Sequence, residues 1–502
     1  MNIPFRTLLA LGLAAVLTAC GTTVVNPVTG QKERSVMDEK SEIEQGRKAH
    51  GEILKEYGRY DDVRLQAYVN DVGQKLAAQS HRAHLTWTFT VLDSPEVNAF
   101  ALPGGYVYVT RGILAHLNSE AELAGVVGHE IGHVTARHGA QRATRQQDAS
   151  LGTLAAVLLG AVLEGQGVKG ATDIAGQVST TAAAGYLAAY SREQELQADE
   201  LGAEYLARNR YDARHMVDVI GVLKDQERFA IDAARAEGRS ASSGTNWLSS
   251  HPSNDQRLSR IREIAQRHPA TLNADDGRER YLRAIDGITF GDSREQGVVR
   301  GQDFFHEPLG FAISAPSGWQ IVNGPSELML VNASRDAALL MEVLPEKAGR
   351  SHDAILRQLQ PVSGRTERRS LNGFAATQFD GRVRTSQGRE ADVRLTLVTG
   401  PGERVYLLRQ AGKDAGAIQR AAPALRQAEA TFRALTPADR MAARPWAVQI
   451  VSMPKGGYAE LTRTAPSTLA RAQDQLRLIN GDYASSQPPA TGTLVKTLRP
   501  RP

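Results

Sequence analysis

The chain has 502 residues, 59 Lys and Arg against 55 Asp and Glu, a formal net charge of +4, and one cysteine. That length holds two to four domains, each with its own core. Charge of both signs is spread throughout, with no lysine–arginine block, aromatic–basic platform or Walker loop, so nucleic-acid and nucleotide binding have no support; a single cysteine excludes a disulfide within the chain.

Residues 1–20 read as an export signal. Arg6 supplies a short positive region, 8–17 is apolar but too short for a comfortable membrane span, and Leu17-Thr18-Ala19-Cys20 reads as a lipobox with Cys20 as the lipidation site. An ordinary signal peptide with an incidental cysteine is the alternative. Gly21 and Thr22 follow with no aspartate, which by resemblance to lipoprotein sorting rules implies the outer membrane, facing the periplasm. A lipid anchor would hold the protein at the surface without spanning it. Residues 21–35 read as a polar tether.

Residues 41–80 read as helices, with Leu54, Tyr57, Val63, Leu65, Val69, Val72 and Leu76 as core. Residues 86–110 read as two strands joined by a Pro103-Gly104-Gly105 turn. Next comes His129-Glu130-Ile131-Gly132-His133, preceded by Ser119 and Glu122 as a capping box and set among Leu123, Val126, Val127, Ile131 and Val134 at helical spacing. Residues four apart share a helix face, so both imidazoles can reach one metal ion, with Glu130 placed to act on a water beside it. The bland alternative is a helix with two surface histidines. A metzincin would need Gly and His where this chain has Ala136 and Gly139, and His138, five residues after His133, falls on a different helix face.

Residues 151–189, rich in Ala, Gly, Leu and Thr, read as a helix beside the site or a lid over it. Glu195 and Asp199 are again four apart. Glu195 can complete a His, His, Glu set with a fourth position left open, and Asp199 can accept from the outer nitrogen of a ligand histidine. The alternative is a charged helix laced with ion pairs, since Arg192, Glu193 and Glu200 are also there.

These residues carry a resemblance. His129-Glu130-x-x-His133 followed by Ser191-Arg192-x-x-Glu195-x-x-Ala198-Asp199 resembles the gluzincin peptidases related to HtpX and the CAAX prenyl proteases, in particular their soluble periplasmic branch. The stretch 98–107 resembles the strand that precedes the metal helix there. The resemblance spans about 36–270. It implies a mainly helical zincin-type domain with a small sheet, one zinc held by His129, His133 and Glu195, Glu130 as general base, and Asp199 behind a ligand. His251-Pro252-Ser253 with Arg257 resembles a downstream segment whose histidine lies near the metal, either ligating it in a latent state or stabilising the oxyanion; His268-Pro269 is the competing choice. Unfolded or misassembled periplasmic and outer-membrane proteins are the implied substrates. A chaperone or assembly factor with a latent site is the alternative.

Residues 226–246 read as polar and partly disordered. Strand-like runs and helical patterns at 352–360 and 415–434 predict a β-rich α/β domain at 296–437, centred on an antiparallel sheet and similar in its opening to PsbP-like or Mog1-like domains. The tail, 446–498, resembles a degenerate LysM module. Its Asn480-Gly481 is in place, but Pro454-Lys455-Gly456-Gly457 stands where Gly-Asp-Thr is expected, so peptidoglycan contact is an expectation without its usual turn. The fold class expected for the whole is α+β.

Overall fold

A computed structural model describes residues 22–147, 190–236, 247, 251, 255–267, 275–324, 327–384, 390–485 and 487–501. The expected export signal with Cys20, the 151–189 segment and His268 lie outside the described residues. The chain divides into two compact units of mixed helix and sheet. One is Met1–Asp286 with Ile450–Thr462 and Gln473–Lys496. The other is Gly287–Gln449 with Arg463–Ala472 and Thr497–Pro502.

The first unit opens on a hairpin, β1 (Thr22–Val25) with β2 (Lys32–Ser35). This differs from the expected tether: Asn26 is buried, and its amide donates to the Ala136 carbonyl at 3.3 Å. Helices α1 (Glu39–Tyr57) and α2 (Val63–Ala78) start where Asp38 and Asp62 accept backbone N–H groups of the first turn. Leu65, Val69, Val72 and Leu76 are buried as expected, each stabilising by about 1.5–3 kcal/mol. Val63 is 75% exposed, because it follows the Asp62 cap at the solvent-facing start of its helix.

Region 86–110 holds three strands rather than two. β3 (Thr88–Leu92) lies parallel to β5 (Tyr106–Thr110), and β4 (Ala99–Leu102) pairs antiparallel with β5 at the sheet's edge. Gly104 and Gly105 turn the β4–β5 hairpin at φ 85° and 98°, values that suit glycine. Thr110 caps α3 (Arg111–His116), and Ser119 caps α4 (Glu120–Thr135) by accepting from the Glu122 N–H. The Glu122 carboxylate reaches back to the Asn118 N–H at 2.7 Å, one residue earlier than a standard capping box.

All of α4 is buried, and it packs chiefly against α5 (Arg192–Arg208). Two glycines permit the approach. A Cβ on Gly132 would sit 2.9 Å from the Ala198 carbonyl oxygen, and one on Gly202 would sit 3.1 Å from the His129 nitrogen. Helix α6 (His215–Ala236) runs eleven residues into the stretch expected to be partly disordered, with Ala234 buried. Helices α7 (Asp255–Arg267) and α8 (Arg278–Ile285) follow. Downstream residues complete this unit: the wholly buried Lys496 donates from Nζ to the carbonyls of Ala115 at 3.0 Å and Leu117 at 2.7 Å. Asn480 holds the Lys496 backbone from both sides.

The second unit is built on an antiparallel seven-stranded sheet, in the order β6 (Gln320–Asn323), β7 (Leu328–Val331), β8 (Ala337–Val343), β12 (Val405–Gly412), β11 (Glu390–Thr399), β10 (Phe374–Arg384), β9 (Pro361–Leu371). Helix α10 (Ala415–Ala430) buries Leu425 and Ala428 with Leu339 and Leu408; α9 (His352–Gln358) buries Ile355 and Leu356 with Phe379, Leu395 and Leu397. Glu429 of α10 is 1% exposed and accepts from Arg369 and Thr396 at one oxygen and from Gln410 at the other. The 446–498 stretch runs strand (Trp446–Ser452), helix (Gly457–Thr464), helix (Ala472–Ile479), strand (Leu494–Pro500).

Candidate metal centre

Helix α4 presents His129 and His133 one turn apart on the face toward α5, with their Nε2 atoms 3.0 Å apart. Helix α5 starts at a capping box formed by Ser191 and Gln194, so Glu195 and Asp199 enter the core in its first two turns. Glu195 Oε2 lies 3.6 Å from His129 Nε2, and Oε1 lies 3.5 Å from His133 Nε2. A third stretch supplies His251, whose Nδ1 is 2.9 Å from Glu195 Oε1 and 3.2 Å from His129 Nε2. One ligand atom from each of His129, His133, Glu195 and His251 falls within 4.8 Å of all the others, and all four side chains are buried. All the predicted site residues except Cys20 therefore converge.

A second ring of contacts aims the first. His129 Nδ1 donates to Asp199 Oδ1 at 2.9 Å. Arg257 clamps Asp199 at both oxygens at 2.8 Å and donates to the His251 carbonyl at 3.0 Å. Glu130 Oε1 accepts from Trp247 Nε1 at 3.0 Å and lies 3.5 Å from His251 Nε2; Oε2 has no hydrogen-bond partner among the described residues. Glu195 Oε2 has none either, because Arg257 Nη1, 2.9 Å away, lies off the hydrogen-bonding direction.

The charges are mutually dependent. Burial works to raise Glu195, but the charge of His251 and its hydrogen bond hold the carboxyl well below the usual range. Asp199 resists burial through Arg257 and stays lowered. Burial opposes a charge on His251, and Glu195 and Glu130 outweigh it and raise the ring. Burial pushes His133 well below the ordinary imidazole value, which leaves it neutral.

Imidazole nitrogen and carboxylate oxygen are the donors zinc prefers, at about 2.0–2.2 Å in a tetrahedron, which sets neighbouring donors about 3.3 Å apart. Five donor separations here run from 2.9 to 3.6 Å, and all four ligand atoms lie within 4.8 Å of one another. Glu195, whose Oε2 accepts no hydrogen bond among the described residues, has a lone pair left for a cation. The residues fit the metal.

Sequence reasoning missed four neighbours. His138 was expected on another face, yet its Nδ1 is 2.8 Å from His133 Nδ1, because α4 ends at Thr135 and a new helical stretch begins at 138. Tyr190 stacks on His133 at 3.9 Å between centroids, and Arg142 lies over Tyr190 at 5.0 Å. Trp247 stacks on His251 at 4.6 Å. A signal for Trp247 was present: it is an aromatic residue four before His251, and the His251 N–H donates to its carbonyl at 2.8 Å, one helical turn.

Residues 64–265 match the family model for Peptidase family M48. A beta-barrel assembly-enhancing protease of Yersinia pestis is 30% identical over 224 residues, 43% of this chain and 42% of that one. The mitochondrial metalloendopeptidase OMA1 of Schizosaccharomyces pombe is 32% identical over 222 residues, 43% of this chain and 58% of that one. The chain thus spans well under two thirds of either relative. A solution structure of cyanobacterial PsbP from Synechocystis covers 29% of this chain at 14% identity with a TM-score of 0.21, too low to carry an argument.

Proposed function

We propose that this chain, whose residues 64–265 carry a zinc metallopeptidase domain of Peptidase family M48, cleaves internal peptide bonds of unfolded or misassembled periplasmic and outer-membrane proteins. One observation carries the reading: His129, His133 and Glu195 converge from two helices, and Glu130 beside them keeps Oε2 without a partner. Zinc held by those three residues would acidify a water and polarise the scissile carbonyl. Glu130 accepts the water's proton at Oε2 and passes it to the leaving amine. Asp199 and Arg257 fix the His129 ring so that Nε2 faces the site. β4 is the edge strand of its sheet among the described residues, so an extended substrate that added a strand there would align its backbone beside the site.

The quality-control role rests on the beta-barrel assembly-enhancing relatives. Attachment to the outer membrane through Cys20 rests on the lipobox, and no helix among the described residues is long and apolar enough to cross a membrane. The strand–helix–helix–strand order of 446–498 supports a LysM-like module touching peptidoglycan, and the antiparallel sheet supports a separate α/β domain at 296–437.

A second reading has its own observation. His251 Nδ1 stands inside the donor cluster and Trp247 donates to Glu130. With both in place, the open position is filled and the base is engaged. A latent site, with a chaperone or assembly role while closed, follows from that arrangement.

The test compares wild type with Glu130→Gln, both without the lipid anchor, on an unfolded β-barrel substrate, with zinc measured in each. Cleavage by wild type alone, with about one zinc in both, is expected. Full cleavage by Glu130→Gln would overturn the mechanism. Zinc in both without cleavage would favour the latent reading and make His251→Ala the next variant.

A further inference from the structure

The outer nitrogens of the two ligand histidines meet different partners. His129 faces a carboxylate, Asp199. His133 faces another imidazole, His138, at 2.8 Å between Nδ1 atoms, and both rings are buried. At that distance a single proton lies between the two nitrogens, since two lone pairs repel and two N–H groups clash. The far nitrogen of His138, Nε2, is 2.9 Å from Gln197 Oε1. An amide oxygen only accepts, so His138 Nε2 carries the hydrogen. A neutral imidazole has one N–H, so His138 Nδ1 is the acceptor. His133 Nδ1 must then donate, and its Nε2 keeps a bare lone pair toward Glu195 and toward His129 Nε2, 3.0 Å away, a repulsion that a cation between the donors would relieve.

The same direction follows from the other end. A metal needs the lone pair on His133 Nε2, which places the hydrogen on Nδ1, makes His138 Nδ1 accept, and requires Gln197 to offer its oxygen. The reversed order would put a hydrogen on His133 Nε2 and forbid ligation.

Backbone geometry places His138 for this contact. Arg137 adopts φ 60°, a left-handed conformation unfavourable for a residue with a Cβ. It is held there by Glu42 Oε1 at 2.8 Å and the Met37 carbonyl at 2.6 Å. The chain turns at Arg137 and brings the His138 ring back onto His133, at 5.0 Å between centroids and 70° between planes. Tyr190 stacks on the His133 ring as well, at 18°.

We propose that His138 and Gln197 form a one-way hydrogen-bond relay that fixes His133 with its hydrogen on Nδ1, and that His138 is a positioning residue for the metal. The proposal rests on His133 being a ligand.

Its test uses the whole chain. Zinc affinity is read by competition with a chromogenic chelator, and the His133 tautomer is read from ¹⁵N imidazole shifts of the metal-free protein. His138→Leu should weaken zinc binding by about 10- to 100-fold. His138→Asn, whose Oδ1 occupies the place of the ring Nδ1 as an acceptor, should restore most of it. At position 197, half-exposed and tolerant of change, Gln197→Glu keeps an acceptor and should bind zinc like wild type. Gln197→Met removes the acceptor and should bind more weakly, and Gln197→Lys supplies a donor and should bind more weakly still. Melting of each metal-free variant shows whether it folds. Wild-type affinity in folded His138→Leu, or a hydrogen on Nε2 of His133 in wild type, would overturn the relay. If His133→Ala binds zinc as tightly as wild type, the ligand reading fails instead, and the tautomer alone decides the relay.

Discussion

Both units bury glutamates, and they treat them in opposite ways. Glu429, in the second unit, has every oxygen occupied, by Arg369, Thr396 and Gln410. Glu130 and Glu195, in the first, are as deeply buried, yet each keeps one oxygen without a hydrogen-bond partner among the described residues. A satisfied buried carboxylate ties strands to a helix and has no capacity left. An unsatisfied one is a standing cost of about 1–3 kcal/mol, or more when charged, that a protein keeps where something else is meant to arrive. Burial alone does not separate the two cases; the count of open lone pairs does.

The sharpest way to break this contrast is to remove the charge at each place. Glu130→Gln should lower cleavage by about 100- to 10,000-fold, with zinc content unchanged and the metal-free protein melting no lower than wild type. Glu429→Gln should leave cleavage and zinc content intact while costing about 1–3 kcal/mol in denaturant unfolding. Reversed outcomes would mean that open lone pairs do not mark the site. Gly132→Val lies between: its Cβ would press on the Ala198 carbonyl, forcing α4 from α5 at a cost of about 1–3 kcal/mol, and zinc affinity should fall with it.

Lys496→Met removes two donors from buried carbonyls without touching a ligand. A loss of about 1–3 kcal/mol is expected in thermal melting, with the per-zinc cleavage rate of the folded fraction unchanged. The smallest effect concerns His116, which burial pushes from 6.5 to about 4, with the Lys496 charge helping and the Gly112 carbonyl opposing. A base lowered on folding contributes stability that is full above the unfolded value and is lost as pH falls from about 6.5 to about 4. His116→Gln should flatten the melting temperature across that window; an unchanged slope would show that His116 is not the group responsible.

The meeting of His129, Glu130, His133, Glu195 and Asp199 was legible because one helical turn fixes each spacing, whatever the rest of the chain does. The β4–β5 turn was legible because Gly104 and Gly105 have few other uses side by side. His138 was not, because reading it on a continuous helix is correct only if the helix continues. The turn at Arg137 depends on Glu42, 95 residues earlier. The hairpin at 22–35 was hidden for a similar reason, since Asn26 finds its partner at Ala136, 110 residues later. The end of helix α6 was not expected because 226–246 taken together is polar, though Ala234 packs inside. Local periodicity carried what neighbours in sequence decide; contacts set by distant residues were lost.

The tie between Lys496 and the turn before the metal helix joins atoms 381 and 379 residues apart. Closing so long a loop adds little to the equilibrium cost, which grows only with the logarithm of length, but contacts of such separation form late. Chains are made from the amino end, and domains fold as they emerge. The start of α4 therefore stays unclasped while residues 287–449 of the second unit are made. The last buried cation of this unit is thus made long after the residues gathered at the candidate site, so the start of α4 is clasped late in its assembly.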